Sequence, residues 1–131
     1  MITNVPGYCV CVTTADCVPV LLYDKKQHVV AAVHAGWKGT VKHIVSHVMD
    51  HLNQKFGTQG EDVVACIGPS ISLESFEVGD EVYDAFKESG FDMSLISMKK
   101  KETGKYHIDL WEANRIELLN AGVPAEQIEV A

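Results

Sequence analysis

The apolar positions change period along the chain, and that change divides it into elements. Tyr8–Thr13 alternates and is rich in β-prone residues, which predicts a strand. Val18–Tyr23 predicts a second strand and His28–His34 a third, with Asp24, Lys25, Lys26 and Gln27 as the turn between them. The period then lengthens. Val41, Ile44, Val45, Val48, Met49, Leu52 and Phe56 recur at helical spacing, with Thr40 placed as the N-cap and Gly57 as the stop. Val63–Ile67 is a short apolar strand halted by Gly68-Pro69, and Ser75–Val78 is a further strand candidate. Asp80–Ser89 reads as a helix closed by Gly90, while Phe91–Thr103 fits neither period and its Lys99-Lys100-Lys101 run reads as solvated loop. Tyr106–Ile108 is a strand, Asp109 caps a helix running to Asn120, and Ile128–Ala131 is a last strand. Strands interleaved with helices predict a mixed α/β fold.

The hairpin raises the first question of chemistry. A turn symmetric about the Lys25–Lys26 bond pairs Asp24 with Gln27 and carries Cys17 directly across from His34. Opposed residues share a sheet face with Cβ atoms about 4.5–5.5 Å apart. A zinc ion, with Zn–S of about 2.3 Å and Zn–N of about 2.0–2.1 Å, can bridge that span. A one-residue slip would separate the pair, because it moves one strand's side chains to the other face. The opposite face carries Val18, Val20, Leu22, Val29, Ala31 and Val33, which makes it the core face. Spacing alone also allows the plainer reading, in which Cys17 is a buried small hydrophobe and His34 a satisfied polar residue.

Composition narrows the function classes. A length of 131 residues suits a single domain, 1–131, and 47% hydrophobic residues suffice for a core. A net charge of −7 supplies no basic stripe, which excludes a general nucleic-acid binder. It leaves room for a small anion at a lysine and a helix end. No apolar run approaches the ~18 residues of a membrane span, and the first residues lack the basic start and apolar stretch of a signal peptide. Of the four cysteines, Cys9, Cys11 and Cys17 crowd together and Cys66 stands apart. That is no disulfide framework, so a cytoplasmic protein with reduced thiols is expected.

Five ordered stretches carry a resemblance: "TADCVPVLLYD", "AAVHAGWKGTV", "CIGPSIS", "FEVGDEV" and "DLWEANRIELLNAGV". Together they resemble the YfiH-like family, also labelled laccase-domain or polyphenol oxidase proteins. The resemblance implies a zinc-dependent purine nucleoside enzyme. Its expected reactions are phosphorolysis of adenosine, inosine, guanosine and methylthioadenosine, and adenosine deamination. It implies a four-layer α/β/β/α-like sandwich similar to the toxin-deamidase-like fold. It places metal ligands at Cys17 and His34 and a third, a histidine, upstream of this chain. On that resemblance the chain looks like an internal fragment, lacking N-terminal and C-terminal segments, with activity impaired accordingly. Where the family has arginine after His-Ala-Gly-Trp, this chain has Lys38, which keeps the charge without the bidentate fork.

The remaining residues take more than one reading. Gly36, Lys38, Gly39 and Thr40 lead into a helix N-terminus and are either a phosphate or ribose contact or an ordinary cap. Asp16 either orients a metal ligand or is a turn residue. Cys9 and Cys11 share one strand face and either bind metal or pack in the core, and Cys66, beside Gly68-Pro69-Ser70, either lines the cleft or packs in the core; the core is expected for all three. His43 and His47 fall away from the apolar stripe and, with His51, are expected on a solvated face; His28 and His107 complete no site. Two further functions compete. A copper phenol oxidase would need many histidines in His-x-His pairs, and six histidines without one such pair argue against copper. A metal-free Cys–His hydrolase, with Cys17 as nucleophile and His34 as base, needs no third ligand.

Overall fold

Alternation of buried and open positions in two neighbouring strands, interrupted by buried Ala32, sets the architecture. The computed structural model describes residues 1–131. Strand β2 (Val18–Asp24) buries Val18, Val20, Leu22 and Asp24, and β3 (Val29–Ala35) buries Val29, Ala31, Val33 and Ala35. These residues face one another in antiparallel register, Val18 with Ala35 through Asp24 with Val29. On the other side of β2, β4 (Val63–Ile67) adds Val63, Ala65 and Ile67 to the same face. A two-residue strand β1 (Ile2–Thr3) extends the edge at β3, and β8 (Ile128–Val130) runs parallel to β4, giving the order β1-β3-β2-β4-β8.

The buried face receives the helices. After a short α1 (Trp37–Val41), α2 (Ile44–Phe56) contributes Val45, Met49 and Leu52, and α5 (Leu110–Asn120) contributes Leu110, Ala113 and Leu118. All belong to one cluster of 22 buried residues. At about 25 cal/mol per Å² of apolar area, this burial is the main stabilising term. A second, three-stranded sheet, in the order β5-β7-β6, is made from β5 (Glu77–Val78), β7 (Tyr106–Ile108) and β6 (Ser97–Lys99). Helices α3 (Asp80–Glu88) and α4 (Met93–Ile96) complete the chain and bury Phe86, Met93 and Ile96.

The expected mixed α/β class is what the chain adopts. Within it, helices cover one face of the large sheet, and the other face holds the N-terminal segment, exposed Leu21 and Tyr23, and half-buried Cys66. Three expectations change. Tyr8–Thr13 forms no strand: its alternation is real, but no sheet edge pairs with it, and its amide Tyr8 reaches only the Val5 carbonyl at 3.4 Å. Thr40 is not a cap but an interior residue of α1, whose N-cap is Gly36. Lys99 is not loop but the last residue of β6; in the stretch Phe91–Thr103, which fits neither period, Asp92 caps α4 by accepting from the Ser94 amide and β6 follows at once.

The turn also closes differently from the symmetric expectation. Asp24 accepts hydrogen bonds from the Lys26 and Gln27 amides at 2.9 and 3.0 Å, and the His28 amide donates to the Asp24 carbonyl. His28 takes a left-handed backbone, φ 55°, to bring the chain back. The loop is therefore residues 25–28, and the register moves by two positions.

Candidate functional site

His34 faces Pro19, not Cys17. Cys17 lies in the bend just before β2, at the position that would continue the ladder opposite Gly36. The close approach is direct: a Cβ placed on Gly36 would sit 3.1 Å from the Cys17 Sγ. Glycine is thus what lets the half-buried thiol lie against the start of α1. A displacement of two positions, unlike one, preserves the strand's alternation, so His34 shares its face with Pro19 and stands diagonal to position 17. The ladder ends at Val18 and Ala35, so Cys17 lies just outside it, at the end of the hairpin that His34 also borders.

The surroundings explain why the bend is held. Pro19 has no amide to offer β4, and its place in the ladder comes just past Ile67, the last paired residue there. Its carbonyl instead accepts from the Gly68 amide at 2.9 Å, and a Cβ on Gly68 would collide with the proline ring at 2.8 Å. The Gly68-Pro69-Ser70 loop is pinned against the bend by the Ile71 amide, which donates to the Asp16 carbonyl at 2.9 Å. Trp111 on α5 donates its indole N–H to Ser70 Oγ at 2.7 Å. Between them Asp16, Ser70, Ser72 and Ser75 line an open polar cleft of about 440 Å³. Asp16 is exposed, so its carboxylate is available to that cleft. His34 lines a separate, mostly apolar pocket of about 240 Å³ with Val12, Ile44 and Val48.

The stretch 36–40 divides into two kinds of residue. Lys38 is exposed, with its ammonium 5.7 Å from the centre of the Trp37 ring. Thr40 is buried; its hydroxyl donates to the Gly36 carbonyl at 2.8 Å and accepts from Asn114 Nδ2 at 3.2 Å. Thr40 therefore braces α1 against α5, whereas Gly36, Lys38 and Gly39 keep some exposure.

No group of three histidine, cysteine or acidic side chains comes together to hold a metal ion. Cys17 and His34 offer a sulfur and an imidazole nitrogen, a donor pair of the kind zinc takes. The largest apolar cavity, about 450 Å³, lies elsewhere, over the outer face of the sheet between Tyr8, Cys9, Leu21, Tyr23 and Cys66. Cys66 thus faces outward opposite Leu21 rather than into the core, and Cys9 and Cys11 are exposed.

One cluster gave no signal in the sequence. His43 is not a free surface histidine: it is the N-cap of α2, with φ 60°, and although its side chain stays 38% exposed, its ring is bonded within the protein. Its Nδ1 bonds Glu117 Oε1 and its Nε2 bonds the Ser89 carbonyl at 2.9 Å, while its ring stacks on Phe91. Ser46 donates to the second oxygen of Glu117, which is buried. The hydrogen bond to Glu117 holds the His43 pKa above the usual histidine range against the opposing effect of burial, helped by the carboxylate's charge and the Ser89 carbonyl. These partners come from distant parts of the chain, so no local pattern links them. His107 is likewise buried, with Nδ1 against the Leu73 carbonyl at 3.0 Å.

A family model described as multi-copper polyphenol oxidoreductase laccase matches residues 1–131. A purine nucleoside phosphorylase from Bacteroides thetaiotaomicron is 64% identical over the whole of this chain and 48% of its own length. An adenosine deaminase from an unknown prokaryotic organism is 44% identical over 98% of this chain and 48% of its own. Among solved structures, the YfiH protein of Bacillus licheniformis aligns with a TM-score of 0.82 at 37% identity, over 90% of this chain and 44% of that one. The chain spans about half the length of the relatives it matches.

Proposed function

Since the chain belongs to the multi-copper polyphenol oxidoreductase laccase family, we propose that it carries part of the active site of a zinc-dependent purine nucleoside enzyme, one that performs phosphorolysis and adenosine deamination. The observation that carries this reading is the hairpin. Cys17 and His34 both border its open end, and Asp16, the chain neighbour of Cys17, lines a polar cleft, in a chain similar to a purine nucleoside phosphorylase and to an adenosine deaminase. Copper is disfavoured by the donor set: six histidines with no His-x-His pair supply too few ligands for several coppers.

Cys17 and His34 would be two of the three protein ligands of a catalytic zinc, with the third supplied from outside these residues. When bound, zinc acts as a Lewis acid and can lower the pKa of a bound water to about 7. The chain's own residues do the positioning. Gly36 leaves room for the Cys17 sulfur, and the Asp16 carbonyl holds the Ser70 loop beside it. Asp16 and the serines of the cleft offer acceptors and hydroxyls to the ribose of a nucleoside, and Lys38 offers a cation to phosphate. Thr40 and Asn114 keep α1 in place behind Lys38.

The test is turnover of adenosine to adenine with phosphate, and to inosine without it, followed by chromatography. The chain alone is expected to be nearly inactive. Joined to the part of the Bacteroides thetaiotaomicron relative that lies outside the matched region, it is expected to turn over both. Equal activity of the isolated chain would favour the metal-free Cys–His hydrolase, a reading compatible with the lack of a third ligand-type side chain among these residues.

A further inference from the structure

Cys9 and Cys11 stand apart from the other two cysteines. Both are exposed, whereas Cys17 and Cys66 are half-buried. They flank Val10 in a segment without regular secondary structure, and both side chains turn toward one another. Their sulfurs are in contact, 3.7 Å apart. The segment is loosely tethered, since it belongs to no strand and the Tyr8 amide bonds only the Val5 carbonyl. We propose that Cys9 and Cys11 form a dithiol that exchanges with small-molecule disulfides and closes to an intramolecular Cys9–Cys11 disulfide.

The chemistry balances without a cofactor. The thiolate of one cysteine attacks a sulfur of the small disulfide; that S–S bond breaks, a mixed disulfide forms, and one small thiolate leaves and takes up a proton. The second cysteine then loses its proton to solvent and attacks the protein sulfur of the mixed disulfide, and the second small thiol leaves. Two protein thiols are oxidised and one small disulfide is reduced to two thiols. The second step is intramolecular, at an effective concentration of about millimolar or more, so the mixed disulfide does not accumulate. The neighbouring Cys9, through its hydrogen bond and then its charge, raises the Cys11 pKa, so one member of the pair stays protonated while the other reacts. Bringing the sulfurs from contact to a bond length of about 2.05 Å asks for movement only in the loosely tethered segment.

The experiment equilibrates the chain with mixtures of reduced and oxidised glutathione, quenches with an alkylating agent, and measures intact and tryptic masses. The tryptic peptide Met1–Lys25 holds Cys9, Cys11 and Cys17, and Phe56–Lys87 holds Cys66, so a bond to Cys66 joins two peptides, and fragment masses of Met1–Lys25 show which of its three cysteines carries the alkyl group. Wild type is expected to lose two hydrogens, to carry no glutathione, and to keep Cys17 and Cys66 open to alkylation. Cys9→Ser and Cys11→Ser are each expected to hold a stable mixed disulfide at a level at least about tenfold above wild type. A cross-link joining the two peptides, mixed disulfide in wild type equal to that in the variants, or no reaction at either thiol would each overturn the proposal.

Discussion

His34 and His43 lie on either side of one short helix and have opposite fates. His34 sits in a strand, exposed, on the side of the sheet that no helix covers. His43 sits where the chain enters α2, with both ring nitrogens bonded within the protein and its ring stacked on Phe91. A histidine with both nitrogens committed to protein partners holds elements together; one left open on a sheet face can take a ligand. The same division runs through the acidic residues, Glu117 being buried between Ser46 and His43 while Asp16 opens on the polar cleft.

This comparison breaks if the two sites respond alike. In the joined active protein, Cys17→Ala or His34→Ala is expected to lower nucleoside turnover by at least about a hundredfold while leaving the thermal midpoint within a few degrees, because a ligand is lost and no packing is. A comparable fall in the midpoint would place His34 with His43 as a structural residue. Next in size, Glu117→Ala removes the acceptor shared by Ser46 and His43 and is expected to destabilise the chain by about 2–3 kcal/mol in urea. A loss below about 0.5 kcal/mol would mean that the helix layer does not depend on the cluster.

A smaller effect sharpens the contrast through pH. Because the folded-state pKa of His43 is raised, its contribution to stability is complete below the unfolded value of about 6.5 and is lost as pH rises through the folded value. Urea midpoints should therefore fall over that interval in wild type. His43→Asn, which tolerates the left-handed backbone but cannot titrate, should flatten the fall. An unchanged pH profile would remove the ion pair from the account. Smallest of all, Tyr23→Ser on the outer face should change stability by about 0.5 kcal/mol or less, because the residue is 40% exposed and its hydroxyl reaches only His28. A large loss there would mean that the outer face is part of the core.

Much of the fold was legible because its signals are local. The alternation of Val18, Val20 and Leu22 and of Val29, Ala31 and Val33 placed both strands and their common face. Asp109 at the head of α5 identified a cap, with the Glu112 amide donating to its side chain at 3.0 Å. The register was less legible. Symmetry about Lys25–Lys26 was the simplest turn, but Asp24 draws two following amides onto its carboxylate and moves the centre by one residue. The face assigned to His34 survived only because the resulting displacement was even.

What the sequence determined by itself was the set of groups that repeat at a short period or act within a few residues of one another: strands, helices, the cap at Asp109, the apolar face, and the family motif around Cys17 and His34. What only the tertiary structure decided was which distant groups meet. Alternation in Tyr8–Thr13 could not supply a partner strand, since a strand's hydrogen bonds are satisfied by a neighbour and not by itself. Nor could any pattern on α2 announce that Glu117 and the Ser89 carbonyl would close around His43. Burial of Glu117 makes its pairing with His43 and Ser46 strong and necessary, and burial is a property of the packed chain, not of any segment in it.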